Sequence, residues 1–177
     1  MRGFVLLLAV LLLAACRSRV AGYPRDWHVG GSFSAIPGVG LALEGGKVFA
    51  RKDKFDWAAE AQVFRHFLDD KDLADDGFAD HGRVTAVRAG LKHSTNPGHK
   101  RHVTWRYGFQ FYRATGEPGI IERAGDYYGG YFGIGFETDL NRRWTMGPEI
   151  SVAFMQGEGD RQFEVVPTFF WHLTLNY

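Results

Sequence analysis

The sequence predicts an all-β protein, an eight-stranded antiparallel up-and-down β-barrel. Three observations point there. Apolar and polar residues alternate with period two in eight blocks, the pattern of strands with one apolar face. The connections between blocks alternate between long and short, as they do when strands run up and down. Aromatic residues make up 15% of the chain and glycine supplies 23 of its 177 residues, which suits strands with tight turns or bulges better than helices. That length fits one domain.

The blocks span 27–36, 39–50, 55–68, 84–94, 102–115, 127–140, 144–156 and 162–177. The first opens on Trp27 and ends at a Pro-Gly turn. In the second, VGLALEGGKVFAR, unbroken alternation from Val39 would put Lys47 on the apolar face. A bulge at Gly45-Gly46 is therefore expected, shifting the phase so that Val48 and Ala50 return to that face. The third block carries Trp57, with Glu60 on its polar face. Arg88 and Lys92 take the polar face of the fourth.

The fifth, HVTWRYGFQFYRAT, is the clearest, with Val103, Trp105, Tyr107, Phe109 and Phe111 alternating against His102, Thr104, Arg106, Gly108, Gln110 and Tyr112. The sixth sets Tyr128, Phe132, Ile134 and Phe136 against Tyr127, Tyr131, three glycines and Glu137. The seventh sets Trp144, Met146, Ile150, Val152 and Phe154 against Thr145, Gly147, Glu149 and Ser151. The eighth ends TFFWHLTLNY, where Phe169, Trp171, Leu173, Leu175 and Tyr177 alternate with His172, Thr174 and Asn176.

Ahead of the strands lies MRGFVLLLAVLLLAA, one positive charge followed by an apolar run too short to span a bilayer comfortably and ending in small residues, which reads as an export signal. Cys16 follows and is the single cysteine, so no internal disulfide can form. Leu13-Ala14-Ala15-Cys16 resembles the lipobox of bacterial lipoproteins, which implies acylation of Cys16 and a new N-terminus there. Arg17 stands where an Asp would, by the same resemblance, favour retention in the inner membrane, so the implied destination is the outer membrane. The expected organisation is a signal peptide over 1–15, a lipid-anchored tether over 16–25 and a barrel over 26–177.

Lys and Arg number 21 and Asp and Glu 20, and removal of Arg2 with the leader leaves the two balanced. Near-zero charge argues against a general nucleic-acid binder.

A barrel of this kind can turn its apolar face inward, as a soluble lipid carrier does, or outward to a bilayer. Three features favour the second. Trp27, Trp57, Trp105 and Trp144 fall at or near the starts of strands one, three, five and seven, at one level, as an interfacial aromatic girdle requires. Glu60, Arg88, Lys92, Arg106, Glu137 and Glu149 all project to the polar face in the short-turn half, three cations and three anions, a set a closed polar interior can pair. The last strand, alternating down to Tyr177, resembles the signal by which outer-membrane barrels are handed to their assembly machinery. Together with long loops at one end and tight turns at the other, the chain resembles small eight-stranded bacterial outer-membrane barrels. That resemblance implies contact with outer-membrane lipid and lipopolysaccharide and a structural or surface-interaction role.

Two alternatives stay open. A lipid-anchored soluble barrel that carries a lipid would resemble bacterial lipocalins, but Arg25-Asp26 precede Trp27 where those proteins have Gly-x-Trp, and no helix is expected near the C-terminus. A lipid A-modifying enzyme is the other. GLKHSTNPG (90–98) resembles the His-x-Ser-Asn run of lipid A deacylases, but His93 and Ser94 are adjacent and so point to opposite sides of a strand. No catalytic group, cofactor or metal is expected. The histidines lack metal spacing, and the acidic loop offers Asp72, Asp76, Gly77 and Asp80 but has Ala74 and Arg83 where a calcium loop needs oxygen ligands.

Overall fold

A computed structural model describes residues 26–36, 39–52, 54–67, 83–95, 100–115, 125–157 and 163–177. The leader, Cys16 and the acidic-loop aspartates lie outside these residues. Eight strands form: β1 (Trp27–Ile36), β2 (Val39–Lys52), β3 (Phe55–Phe67), β4 (Arg83–Thr95), β5 (Arg101–Thr115), β6 (Gly125–Asp139), β7 (Trp144–Gly157) and β8 (Phe163–Asn176). Every neighbouring pair is antiparallel, and β1 pairs with β8 to close the barrel. Closure removes the unpaired sheet edges that an open sheet would present.

Strand β8 supplies the seam. Its register on β1 runs from His28↔Asn176 to Ser34↔Phe170. Two backbone bonds lock the end of the seam, Tyr177 N to Trp27 O and Asp26 N to Tyr177 O, both 2.8 Å. Asp26 and Tyr177 lie at the end of the barrel where β2, β4 and β6 finish, and β1, β3, β5 and β7 finish at the opposite end.

The alternation resolves in one sense. Large apolar side chains face outward, among them Phe33, Leu41, Val63, Phe132, Ile150 and Trp171, and Phe109 is 80% exposed. The charged side chains of the polar face, Glu60, Arg88, Lys92, Arg106, Glu137 and Glu149, point inward, with Arg88 and Glu149 each 2% exposed. A soluble barrel would reverse this arrangement, because exposing that much contiguous apolar wall to water is unfavourable.

On β5 the outward set from Val103 to Phe111 is bounded by Arg101 and Arg113, twelve residues apart. That separation is about 40 Å along the strand and about 30 Å along the barrel axis for the usual tilt, enough to clear an apolar band of about 25 Å.

The second strand departs from expectation. Alternation continues unbroken through Gly45-Gly46, and the register shifts between Val48 and Ala50 instead. Val48 lines the lumen, Phe49 is the extra residue and is exposed, and Ala50 returns outward opposite Trp57. Gly46 is needed for a different reason: a Cβ there would lie 2.4 Å from Cε1 of the His28 ring, which occupies the space. Lys47 stays on the outer face at the rim, its Nζ 5.0 Å over the Trp27 ring, where its apolar stem lies on the wall and its charge reaches the polar boundary.

Candidate functional site: the ionic lumen and its aromatic plug

The interior has two storeys. In the short-turn half all six expected charged residues meet in one network centred on Arg106. Its Nε lies 2.9 Å from Glu60 Oε2, its Nη2 3.0 Å from Glu137 Oε1 and its Nη1 2.5 Å from Glu149 Oε2. Lys92 Nζ sits 2.7 Å from Glu137 Oε1. Arg88 approaches Glu149 Oε1 at 3.9 Å, donates to Ser151 Oγ at 3.1 Å and donates from Nε to Gln110. Guanidinium serves three carboxylates at once because its donors are fixed in a planar fork, which a lysine ammonium cannot imitate.

Sequence reasoning missed several members. Glu44 is 4% exposed, held by His172 Nδ1 at 2.7 Å and by the Thr174 hydroxyl at 2.9 Å. Plain alternation after Leu41 and Leu43 places it on the polar face, ahead of the expected bulge at Gly45-Gly46. Glu44 brings the buried carboxylates to four against three fixed cations. His172 stands between the extra acid and the rest, its Nε2 3.1 Å from Glu149 Oε2. Its Nδ1 makes the hydrogen bond to Glu44, whereas Nε2 lies within ion-pair distance of Glu149 without a hydrogen-bond partner among the described residues; protonation of the ring would bring the cations to four.

His28 and His102 also join the network, with Nε2 3.2 Å from Glu60 Oε1 and 3.3 Å from Glu137 Oε2 respectively. Gly133 makes room for Glu149, since a Cβ there would fall 2.8 Å from its Oε1.

Above this network the lumen is filled by buried aromatic and apolar side chains, including Phe64, Tyr112, Tyr127, Met155 and Phe170. Phe64 packs edge-on against Phe170 at 5.4 Å and Tyr112 at 6.3 Å. Arg88 joins the storeys, its guanidinium carbon 4.8, 4.7 and 5.0 Å from the rings of Phe64, Tyr131 and Phe170. A buried cation over three ring faces recovers part of the hydration it has lost.

A cavity of about 60 Å³ lies at the short-turn end, lined by residues including His28, Lys92, Ser94, His102, Glu137 and Asn176. At roughly 10–15 Å³ each it has room for a few ordered waters. An acyl chain does not fit.

Trp27, Trp57, Trp105 and Trp144 all face outward near the short-turn end, Trp27 most exposed. Trp57 stacks on His93 with ring centres 4.3 Å apart, and Phe55 lies 5.0 Å from the same imidazole. Ser94, the next residue, points the other way into the cavity. The strand thus separates the pair the deacylase resemblance would need, and Nδ1 of His102 on the same cavity has no hydrogen-bond partner among the described residues. On β8, Trp171, Leu173 and Tyr177 are exposed and Phe169 is half-buried on the outer face. Leu175 has the same parity but is 1% exposed, between its cross-strand partners Val29 and Trp144. Among the described residues no three His, Cys, Asp or Glu side chains come together as a metal site.

This is the architecture of the small outer-membrane β-barrels, and solved structures of such proteins share it. The outer-membrane enzyme PagL superposes with a TM-score of 0.56 at 9% identity, over 85% of this chain and 99% of its own. Neisserial surface protein A gives 0.54 at 7% identity, over 89% and 100%. Ail, the attachment invasion locus protein of Yersinia pestis, gives 0.52 at 10%, over 85% and 95%. At such identities the likeness is one of fold. No family model matches the sequence, and no curated protein does.

Proposed function

We propose that the chain is an integral outer-membrane barrel with a structural or surface-interaction role, exported by the signal over 1–15, acylated at Cys16 and closed to solute passage. The inverted wall carries this reading, with apolar side chains outside and an ion network inside. Bilayer hydrocarbon is the solvent that suits such a wall, and a closed barrel leaves no backbone group unpaired within it.

A filled lumen leaves the ends and the wall as the surfaces for binding. The connections over 68–82 and 116–124 are the proposed contact surface for lipopolysaccharide or another surface partner. Phe169, Trp171, Leu173, Leu175 and Tyr177 are the proposed recognition strand for the barrel assembly machinery. The soluble lipid-carrier alternative loses its premise, because the apolar face lies outside and the lumen has no space for a lipid.

Membrane fractionation tests the proposal. The folded protein should stay with the outer-membrane fraction through salt and carbonate washes, and its gel mobility should change on heating. A Cys16→Ala variant given an ordinary signal peptide should behave likewise, because the wall and not the anchor holds it. Release of that variant into the soluble fraction would overturn the reading.

A further inference from the structure

We propose that the short-turn rim of the barrel binds anionic phospholipid headgroups. The inference rests on the membrane reading and goes beyond it by giving one leaflet a charge preference. Its basis is the sign of the charges that face lipid at that end. Lys47, Lys52 and Arg101 all take outward positions there. Among the described residues at that end, no acid does.

The aspartates at the same end point elsewhere. Asp26 and Asp56 hold Arg51, at 3.0 and 3.7 Å, and Arg51 and Asp56 line the lumen cavity. Asp139 registers with Thr145, which is buried on the lumen side. The adjoining turns add Lys54, Lys100, Arg142 and Arg143. In all, eight cations stand against three aspartates among the described residues of this end.

Height along the barrel selects the partner. Lys47 lies against the Trp27 ring at 5.0 Å, Lys52 pairs with Phe55 two residues from Trp57, and Arg101 precedes Trp105 by four. Each cation is therefore at the girdle level or within about 13 Å of it along a strand, within reach of the phosphate layer for a side chain that can extend. A macromolecule in solution cannot reach wall positions that face the bilayer, whereas lipid phosphate is already there. The opposite end differs, since its outward Arg113 is held bidentately by Asp126 at 2.7 Å through both contacts.

The test reconstitutes the full chain in vesicles containing brominated phosphatidylglycerol or brominated phosphatidylcholine with identical acyl chains, reading quenching of the wall tryptophans. The expected result is a preference for phosphatidylglycerol of roughly fivefold at low ionic strength. It should fall toward one in roughly 0.5 M salt. The triple variant Lys47→Gln, Lys52→Gln, Arg101→Gln should lose it while Arg65→Gln, at the other end, keeps it.

The salt titration of the unmodified chain stands even if the triple variant fails to insert. Equal quenching by both lipids at low salt overturns the proposal and leaves the membrane reading intact. A preference indifferent to salt, or unchanged in the triple variant, overturns it too. Absence of quenching by either lipid overturns the membrane reading with it.

Discussion

Replacing Arg106 by Met removes the one cation among the described residues that touches Glu60, Glu137 and Glu149 together. Each carboxylate keeps a second partner: His28 at 3.2 Å for Glu60, Lys92 at 2.7 Å for Glu137, and His172 at 3.1 Å with Arg88 at 3.9 Å for Glu149. Those partners cushion the loss, so the three contacts do not add. The figure for breaking one buried pair, about 3–5 kcal/mol, is the appropriate expectation. The assay is urea-driven unfolding and refolding in lipid vesicles, followed by tryptophan fluorescence and by heat-modifiable gel mobility. Arg106→Lys should fall between the parent and Arg106→Met, because an ammonium keeps the charge but cannot span three carboxylates. Adding Glu149→Gln to Arg106→Met should recover part of the loss, since it removes an uncompensated charge, and a packing role alone would give no recovery. A stability within about 1 kcal/mol of the parent for Arg106→Met would refute the assignment of Arg106 as the charge centre.

Other substitutions probe separate parts of the barrel. Phe64→Ala with Phe170→Ala should destabilise by about 3 kcal/mol or more yet leave planar-bilayer conductance at baseline, because the ionic storey still closes the lumen; conductance should rise only when Arg106→Met is added. Gly46→Ala should displace the His28 ring from Glu60 and lower stability by about 1–3 kcal/mol, read in the same urea titration. Tyr177→Ser with Leu173→Ser should reduce the amount of heat-modifiable protein in the outer membrane if β8 is the assembly signal, and unchanged abundance would count against it. Ser94→Ala should leave the acyl number of lipid A unaltered by mass spectrometry, since its hydroxyl and the His93 ring lie on opposite faces of β4.

The strands were legible in the sequence because the barrel needs opposite chemistry on its two faces at every level, so period two persists even where glycine interrupts the apolar set. Bounds agreed within a residue or two, as β5 and β8 illustrate. The errors have a common physical source. Alternation assigns a face to a residue but not a neighbour across the lumen, and the ionic centre is made of such neighbours. Arg106 and Glu60 are 46 residues apart in sequence, and Glu44 and His172 are 128 apart. The plug was hidden for a related reason. Phe64, Tyr112 and Phe170 are aromatic residues on the polar face, where the pattern calls for hydrophilic ones, and alternation alone does not show that they meet across the lumen. Strand β2 misled because Lys47 looked misplaced on an apolar face, while at the membrane boundary a lysine on an aromatic ring is a suitable outward residue.

The two storeys together constrain what the interior does. An ion network alone could rearrange and pass water or small ions, since several of its members lie at similar distances from more than one partner. An aromatic plug alone would close the lumen but leave a cation such as Arg88 without carboxylates. Stacked in series, with Arg88 touching Glu149 below and three rings above, each storey supplies what the other lacks. The plug excludes water and raises the strength of the ion pairs beneath it, and the network anchors the one charge on which the plug's rings converge. Such coupling predicts that loosening either storey weakens the other. In a double-mutant cycle, Phe64→Ala and Arg106→Met should therefore show an interaction energy of at least about 0.5 kcal/mol although the two side chains make no direct contact with each other. Strict additivity would mean that the storeys are independent fillers and that Arg88 merely lies between them.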